Sequence, residues 1–261
     1  MKNILDSFIE NFWFAPQDAF LRAAEASIWS RQVFLPPVLD IGCGDGHFSK
    51  FLFKNQGEIE VGVDIDKNEL KKAKNCRVYR KIVLANAERL PFGDGSFRTV
   101  VSNSTFEHIE NDILAVAEVS RVLRKGGHFL FTVPLPRLTS VLKQMMKNKD
   151  EFARFNERVS HRHYRSYKEW RDILAKYGLK SVAREDYFPK ETVRVWYRLF
   201  KLATFRPYKR ELWSYLKDSP YGKLVPSGAV KWLLQKYTHH SWTNIFNPFG
   251  CWLFIRGVKE K

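Results

Sequence analysis

Cysteine is scarce in this chain of 261 residues: Cys43, Cys76 and Cys251 are all there are, with no CxxC pair and no neighbouring histidine at metal spacing. Such scattered thiols argue against a disulfide framework and a cysteine-held zinc site, so no metal is expected, and a reducing, cytoplasmic setting is. Long apolar runs are absent too. No window of about 18 residues is free of charge, which excludes a membrane-spanning helix. The opening stretch "MKNILDSFIENFWF" carries Asp6 and Glu10 and lacks a small-residue cleavage site, so it does not read as a secretory signal. Acid is in short supply on one side only. Residues 1–133 hold 17 Lys+Arg and 17 Asp+Glu, whereas residues 134–261 hold 27 and 11, the whole of the +16 net charge. A neutral half beside a basic half suggests one part holding an uncharged or zwitterionic ligand and another meeting something anionic; the alternative is a solvated, lysine-rich face.

What is present is a regular alternation. Residues 1 to about 32 read as one or two helices, with Phe20, Ala23, Ala24 and Ile28 at helical spacing and Pro36-Pro37 as the stop. Then come "PVLDI" as a buried strand, "GHFSKFLFKNQ" as a helix, "EIEVGVDID" as a strand and "KNELKKAKN" as an exposed helix. "YRKIVL" and "RTVVSN" give two more strands. "NDILAVAEVSRVLRKGG" reads as a helix stopped at Gly126-Gly127, and "HFLFTVPLP" as strand five. After residue 136 the pattern loosens: a helix in "SYKEWRDILAKYG", a sixth strand towards "AREDYF", and a seventh at 251–259. Alternating strands and helices imply a doubly wound, mostly parallel α/β sheet whose ligands sit beyond the carboxyl ends of the strands. Between the last two strands lie residues 185–250, with 15 aromatics, 11 Lys+Arg and five acids, interrupted by Pro207, Pro220 and Pro226.

The stretch "VLDIGCGDGHFSK" opens the first helix after the first strand and spaces its glycines as GxGxG. The nicotinamide fingerprint is GxGxxG, and here His47 and Phe48 stand near its third glycine. Asp40, just before the loop, would repel a pyrophosphate and suits a cation such as an amino group. Asp64 ends the second strand, 22 residues after Gly42, where a carboxylate accepts hydrogen bonds from both hydroxyls of a ribose. Ribose recognition without phosphate recognition points to S-adenosylmethionine rather than NAD.

Five ordered blocks, "VLDIGCGDGHFS", "VGVDID", "NAERLPFGDGSF", "VVSNSTFEHI" and "EVSRVLRKGGHFLFTVP", together resemble the class I S-adenosylmethionine-dependent methyltransferases, in the branch that includes the ubiquinone-biosynthesis type. The resemblance covers about residues 36 to 134. It implies a Rossmann-like seven-stranded sheet, with an N-terminal helical segment and a basic, aromatic insertion before the last strand. It implies that Asp40, Gly42, Cys43, Gly44 and Gly46 wrap the methionine end of the cofactor. Asp64 would take the ribose, Ile65 the adenine face, and Asn86, Ala87 and Glu88 the adenine rim. The family often has Asp where this chain has Asn86, whose amide still accepts from the adenine amino group. Ser102 and Asn103 would lie near the amino acid moiety and the transferred methyl.

Methyl transfer to a hydroxyl needs a general base. The candidates are His108 in "FEHI" and His163 in "HRHYRS", with Glu107 as a further base and His161, His163 and Tyr164 as acceptor-site residues. Each has a plainer alternative, as a hydrogen-bonded loop histidine or a residue at a helix start. In "VRVWYRLFKLATF", Trp196, Leu199, Phe200 and Ala203 share one helical side and Arg194, Arg198 and Lys201 the other. Such a helix lies in an anionic membrane interface or packs on its own domain. The expectation is one methyltransferase domain over 1–261: a helical segment to 35, a cofactor core over 36–134, the rest of the sheet over 135–184 and 251–261, and a substrate cover over 185–250. Its acceptor is a small, lipid-linked or glycan molecule. The alternatives are a methyltransferase-fold scaffold that binds cofactor without chemistry, or a nucleic-acid methyltransferase, which strand four ("SNSTFEHI") does not favour.

Overall fold

Four consecutive buried residues, Val38–Ile41, form β1. A strand with no solvent-facing position belongs in the middle of a sheet covered on both sides, and there it lies. The computed structural model describes residues 4–53, 57–206, 209–212, 214–215 and 227–260. β1 pairs in parallel with β2 (Ile59–Asp64) and with β4 (Phe97–Asn103); β2 pairs with β3 (Tyr79–Leu84), and β4 with β5 (Leu123–Pro134). The last strand, β7 (Gly250–Lys259), enters antiparallel between β5 and β6 (Leu179–Pro189). The order is thus β3-β2-β1-β4-β5-β7-β6, a Rossmann-like sheet whose direction of winding switches between β1 and β4.

Alternation along the strands supplies two cores. Leu130 and Phe254 point to one face, Phe129, Phe131 and Ile255 to the other. The first face is covered by α1 (Ile4–Phe12), α2 (Pro16–Trp29), α6 (Pro136–Met145) and α9 (Lys190–Ala203). The second is covered by α5 (Asp112–Val122) and α8 (Tyr167–Lys176). Between them in the chain come α3 (His47–Phe53), α4 (Lys67–Cys76), α7 (Lys149–Val159) and, last, α10 (Ser227–Trp242). The N-terminal segment is two helices, and in α2 Ala19, Phe20, Ala23, Ala24 and Ile28 are all fully buried.

Two boundaries and two helices differ from the sequence reading. α5 ends at Val122 rather than at Gly126-Gly127, because Leu123 is already extended and pairs with Phe97. The two glycines then sit in an irregular start of β5, where Gly126 takes a φ of 71°. α6 and α7 occupy a stretch where no helix was anticipated. β6 runs on to Pro189, so the insertion begins at Lys190. Pro207, Pro220 and Pro226 lie outside the described residues. On α9, Trp196, Leu199 and Ala203 are buried while Arg198 and Lys201 are exposed. Its apolar side therefore packs on its own fold and is not left for a lipid surface.

Candidate functional site

The carboxyl ends of β1, β2 and β4 meet at the glycine loop. Gly42 and Gly44 take φ values of 72° and 51°. A Cβ at Gly42 would fall inside the Thr105 side chain, so only glycine fits. At Gly44 no heavy atom lies within 4 Å of where a Cβ would stand, so this stretch of main chain is open to a ligand. Four of the loop's own N–H groups are already used. Those of Gly42 and Cys43 donate to Val63 O at 2.9 and 3.0 Å, that of Gly44 to Asp64 Oδ2 at 2.8 Å, and that of Gly46 to Cys43 O at 3.0 Å. A loop that spends its donors internally is no phosphate cradle, in keeping with the GxGxG spacing.

Asp64 is half-buried, with Oδ2 on Gly44 N and Oδ1 on Asp66 N at 2.8 Å. A carboxylate offers about four lone-pair sites, so two accepted bonds leave capacity for a pair of ribose hydroxyls. Beside it Ile65 is 74% exposed, an apolar side chain with little cover of its own. Across from these, Asn86 Oδ1 accepts from Glu88 N, and Glu88 Oε1 accepts from Asn111 N, both at 2.9 Å. Those bonds set Ala87, half-buried, on the rim. The open Gly44, the acid and the bare isoleucine fit an adenosyl ligand, and these residues would hold it.

Other expected cofactor residues are engaged with the protein. Asp40 is buried and its Oδ2 accepts from Ser49 Oγ and Tyr79 Oη, both at 2.6 Å; burial pushes its carboxyl up to about 6. Cys43 is buried beneath the loop, and burial raises its thiol. Gly46 packs against Tyr79 and Cys76. Ser102 is fully buried and donates to Ile41 O at 2.9 Å, so its hydroxyl clasps β4 to β1.

Asn103 leads to a network that the sequence reading missed. Its Oδ1 accepts from Trp29 Nε1 (2.7 Å) and Thr132 Oγ1 (2.9 Å), and its Nδ2 donates to Glu25 Oε2 (2.8 Å). Glu25, fully buried on α2, also accepts from Ser104 Oγ at 2.6 Å and from Arg22 at 2.7 Å. Helix α2 is thereby fastened over the end of β4, where Ser104 is held at a φ of 48°. The signal in the sequence was a lone acid among the small residues of "AAEAS".

The histidine candidates separate. Glu107 is buried in the single turn Phe106–His108, its Oε2 without a hydrogen-bond partner, and burial pushes its carboxyl up to about 8. Arg162 N and His163 N donate to Glu107 O at 2.7 and 3.2 Å and bring the "SHRHYRS" loop against this turn. His108 and His161 then stack edge-on with centroids 5.0 Å apart. Burial lowers both, His161 to about 3. Tyr164 joins them through His161 at 3.0 Å. His163 instead sets Nε2 on Glu110 O at 3.0 Å, and Arg165 grips Asp112 with two bonds of 2.6 and 2.8 Å. His163 thus fastens its loop, while Glu107, His108, His161 and Tyr164 gather into one cluster.

Residues 39–131 match the family model of a methyltransferase domain. An uncharacterised protein of Methanocaldococcus jannaschii is 28% identical over 195 residues, 74% of this chain and 89% of its own length. A malonyl-[acyl-carrier protein] O-methyltransferase of Hamiltonella defensa is 32% identical over 47% of each chain, so this chain spans about half of that relative. A solved structure from Thermotoga maritima, a S-adenosylmethionine-dependent methyltransferase described as a possible histamine N-methyltransferase, superposes with a TM-score of 0.58 over 98% of both chains at 18% identity, a likeness of fold. Over residues 39–131 the chain thus carries a methyltransferase domain, and its strand order β3-β2-β1-β4-β5-β7-β6 is that of the Rossmann-like fold of class I S-adenosylmethionine-dependent methyltransferases.

Proposed function

We propose that this protein transfers a methyl group to a nucleophilic atom of a small, lipid-linked or glycan acceptor. The observation that carries the reading is the open Gly44 main chain beside Asp64 and the exposed Ile65, a surface fitted to an adenosyl group and not to a phosphate. S-adenosylmethionine, when bound, supplies a methyl carried on a sulfonium. Asp64 holds the ribose, Ile65 covers one face of the adenine, and Asn86, Ala87 and Glu88 border it. Gly42, Cys43, Gly44 and Gly46 shape the wall for the methionine end, and Asn103, locked by Glu25 and Trp29, closes it. The Glu107, His108, His161 and Tyr164 cluster stands at the acceptor side, since Thr105, two residues before Glu107, packs on Gly42. Alignment of nucleophile and methyl contributes on the order of 7–11 kcal/mol in favourable systems.

Charge supports an anionic acceptor. A cavity of about 740 Å³ runs along α9, lined by Arg194, Arg198, Lys201, Tyr197 and Met145, with Glu191 as its acid. For contact with a membrane, α10 offers Trp232, Leu233 and Tyr237, all exposed, beside Lys231 and Lys236. Among the described residues no helix is long and apolar enough to cross a membrane.

Calorimetric titration with S-adenosylmethionine tests the reading, and absence of binding overturns it. Binding without transfer of labelled methyl into any fraction of a cell extract makes the chain a scaffold instead. Label in the lipid or small-molecule fraction supports the acceptor class, whereas label in nucleic acid replaces it.

A further inference from the structure

The scarcity of cysteine and the absence of metal spacing hid a different donor set. Glu107 and His108 are adjacent, His161 lies 53 positions on, and folding brings one ligand atom of each within 4.8 Å of the other two. We propose that Glu107, His108 and His161 bind a divalent transition-metal ion at the acceptor side of the site. Two imidazoles and a carboxylate are a common donor set for such ions, at metal–ligand distances of about 2.0–2.2 Å, so a small inward movement of the three side chains closes the shell.

The hydrogen bonds around the cluster leave the right atoms available. His108 Nδ1 faces Ser160 O at 3.1 Å, an acceptor only, so Nδ1 carries the proton and Nε2 keeps its lone pair. For His161 the assignment runs through three residues. Asn156 Nδ2 donates to His161 O at 2.9 Å, which orients the amide and makes Asn156 Oδ1 the acceptor. Tyr164 Oη gives its proton to that Oδ1 at 2.8 Å, so it accepts from His161 Nδ1 at 3.0 Å. Again Nε2 holds the lone pair. Partners of this kind on the far nitrogen fix the tautomer and orientation of metal-binding histidines.

The carboxylate supplies the second, independent observation. Glu107 is 1% exposed and its Oε2 has no hydrogen-bond partner. A buried, unpaired carboxylate oxygen is costly, and Arg22, the cation that acts on it, is paired with Glu25 at 2.7 Å. A metal ion would satisfy that oxygen. Three protein ligands leave coordination positions open, and an acceptor oxygen could take one of them. That use of the ion rests on the methyl-transfer reading; the site itself does not.

The test is titration of the full-length, chelator-treated protein with Co²⁺, read by visible absorption, with Zn²⁺ as competitor. One equivalent of Co²⁺ is expected, with d–d bands, no thiolate charge-transfer band, and displacement by Zn²⁺. Glu107→Gln and His161→Gln should each abolish stoichiometric binding, and Tyr164→Phe should weaken it about tenfold. S-adenosylhomocysteine binding in the same variants reports that they remain folded. No stoichiometric binding by the unmodified protein overturns the proposal, and so does binding retained in the Glu107→Gln/His161→Gln double variant. Loss of Co²⁺ binding in Cys76→Ser also overturns it, because the ion would then sit at Cys76 and His47. Loss of S-adenosylhomocysteine binding alone, with Co²⁺ still bound, counts against the methyl-transfer reading and leaves the metal site standing.

Discussion

Asp40 shows what it costs to keep an ionisable group under a ligand loop. Its two short hydrogen bonds favour the carboxylate, but burial outweighs them and pushes the carboxyl up to about 6 from an ordinary 3.8. A folded-state value above the unfolded one means that the folded protein holds its proton longer. Stability from this group is therefore complete below about pH 4 and is lost as pH rises to about 6. A shift of about two units corresponds to roughly 3 kcal/mol. Asp40→Asn does not titrate, so its stability relative to the unmodified protein should improve by up to that amount between pH 4 and pH 7. Urea denaturation across this range measures it, and a difference independent of pH would show that Asp40 ionises normally. Asp64 has the opposite role, since its acceptor capacity faces outward. Asp64→Asn should weaken S-adenosylhomocysteine binding by ~1–3 kcal/mol in a calorimetric titration; unchanged affinity would place the ribose elsewhere.

At the scale of elements, α2 is more than a cover. Its apolar face would pack without Glu25, and a fully buried acid there is justified by what it reaches: Asn103, Ser104 and Arg22. Removing the acid takes the acceptor from Asn103 and Ser104 and the partner from a 38% exposed Arg22, and a buried polar group left unsatisfied costs about 1–3 kcal/mol. Glu25→Ala should lose stability on that scale by urea denaturation, whereas Glu58→Ala, which breaks an exposed ion pair with Arg80, should lose far less. Equal effects of the two would mean that α2 is held by its apolar contacts alone. The boundary of α5 carries a related lesson. Helical period continues through "RVL", yet pairing of Leu123 with Phe97 ends the helix early, because a ladder bond to a neighbouring strand outweighs local propensity.

At the scale of the molecule, charge and apolar surface are arranged by the segment between β6 and β7. α9 turns its tryptophan inward and its basic residues to the 740 Å³ cavity, while α10 keeps Trp232, Leu233 and Tyr237 exposed. If this face meets an anionic bilayer, the full-length protein should pellet with phosphatidylserine vesicles at low salt and be released at high salt. Trp232→Ala/Leu233→Ala should abolish pelleting while leaving S-adenosylhomocysteine affinity intact. Failure of the unmodified protein to pellet at low salt would leave the basic groove to the acceptor alone.

The sequence by itself determined the parallel core and the cofactor class. Strand period, GxGxG spacing and the acid at the end of β2 are local features, and a βαβ unit places them next to one another whatever the rest of the chain does. That Gly42, Gly44 and Asp64 meet at the strand ends was legible for that reason. The partners of Asn103 were not, because Glu25 and Trp29 reach it across 78 and 74 positions. The same holds for Glu107 and His108 with His161: two short pieces, each unremarkable alone, meet only because Arg162 and His163 bond back to Glu107 O. Which face α9 would present was open in the pattern, since an amphipathic helix has the same period against lipid as against protein. Tertiary packing decided it, by burying Trp196 between Phe155 and Trp252.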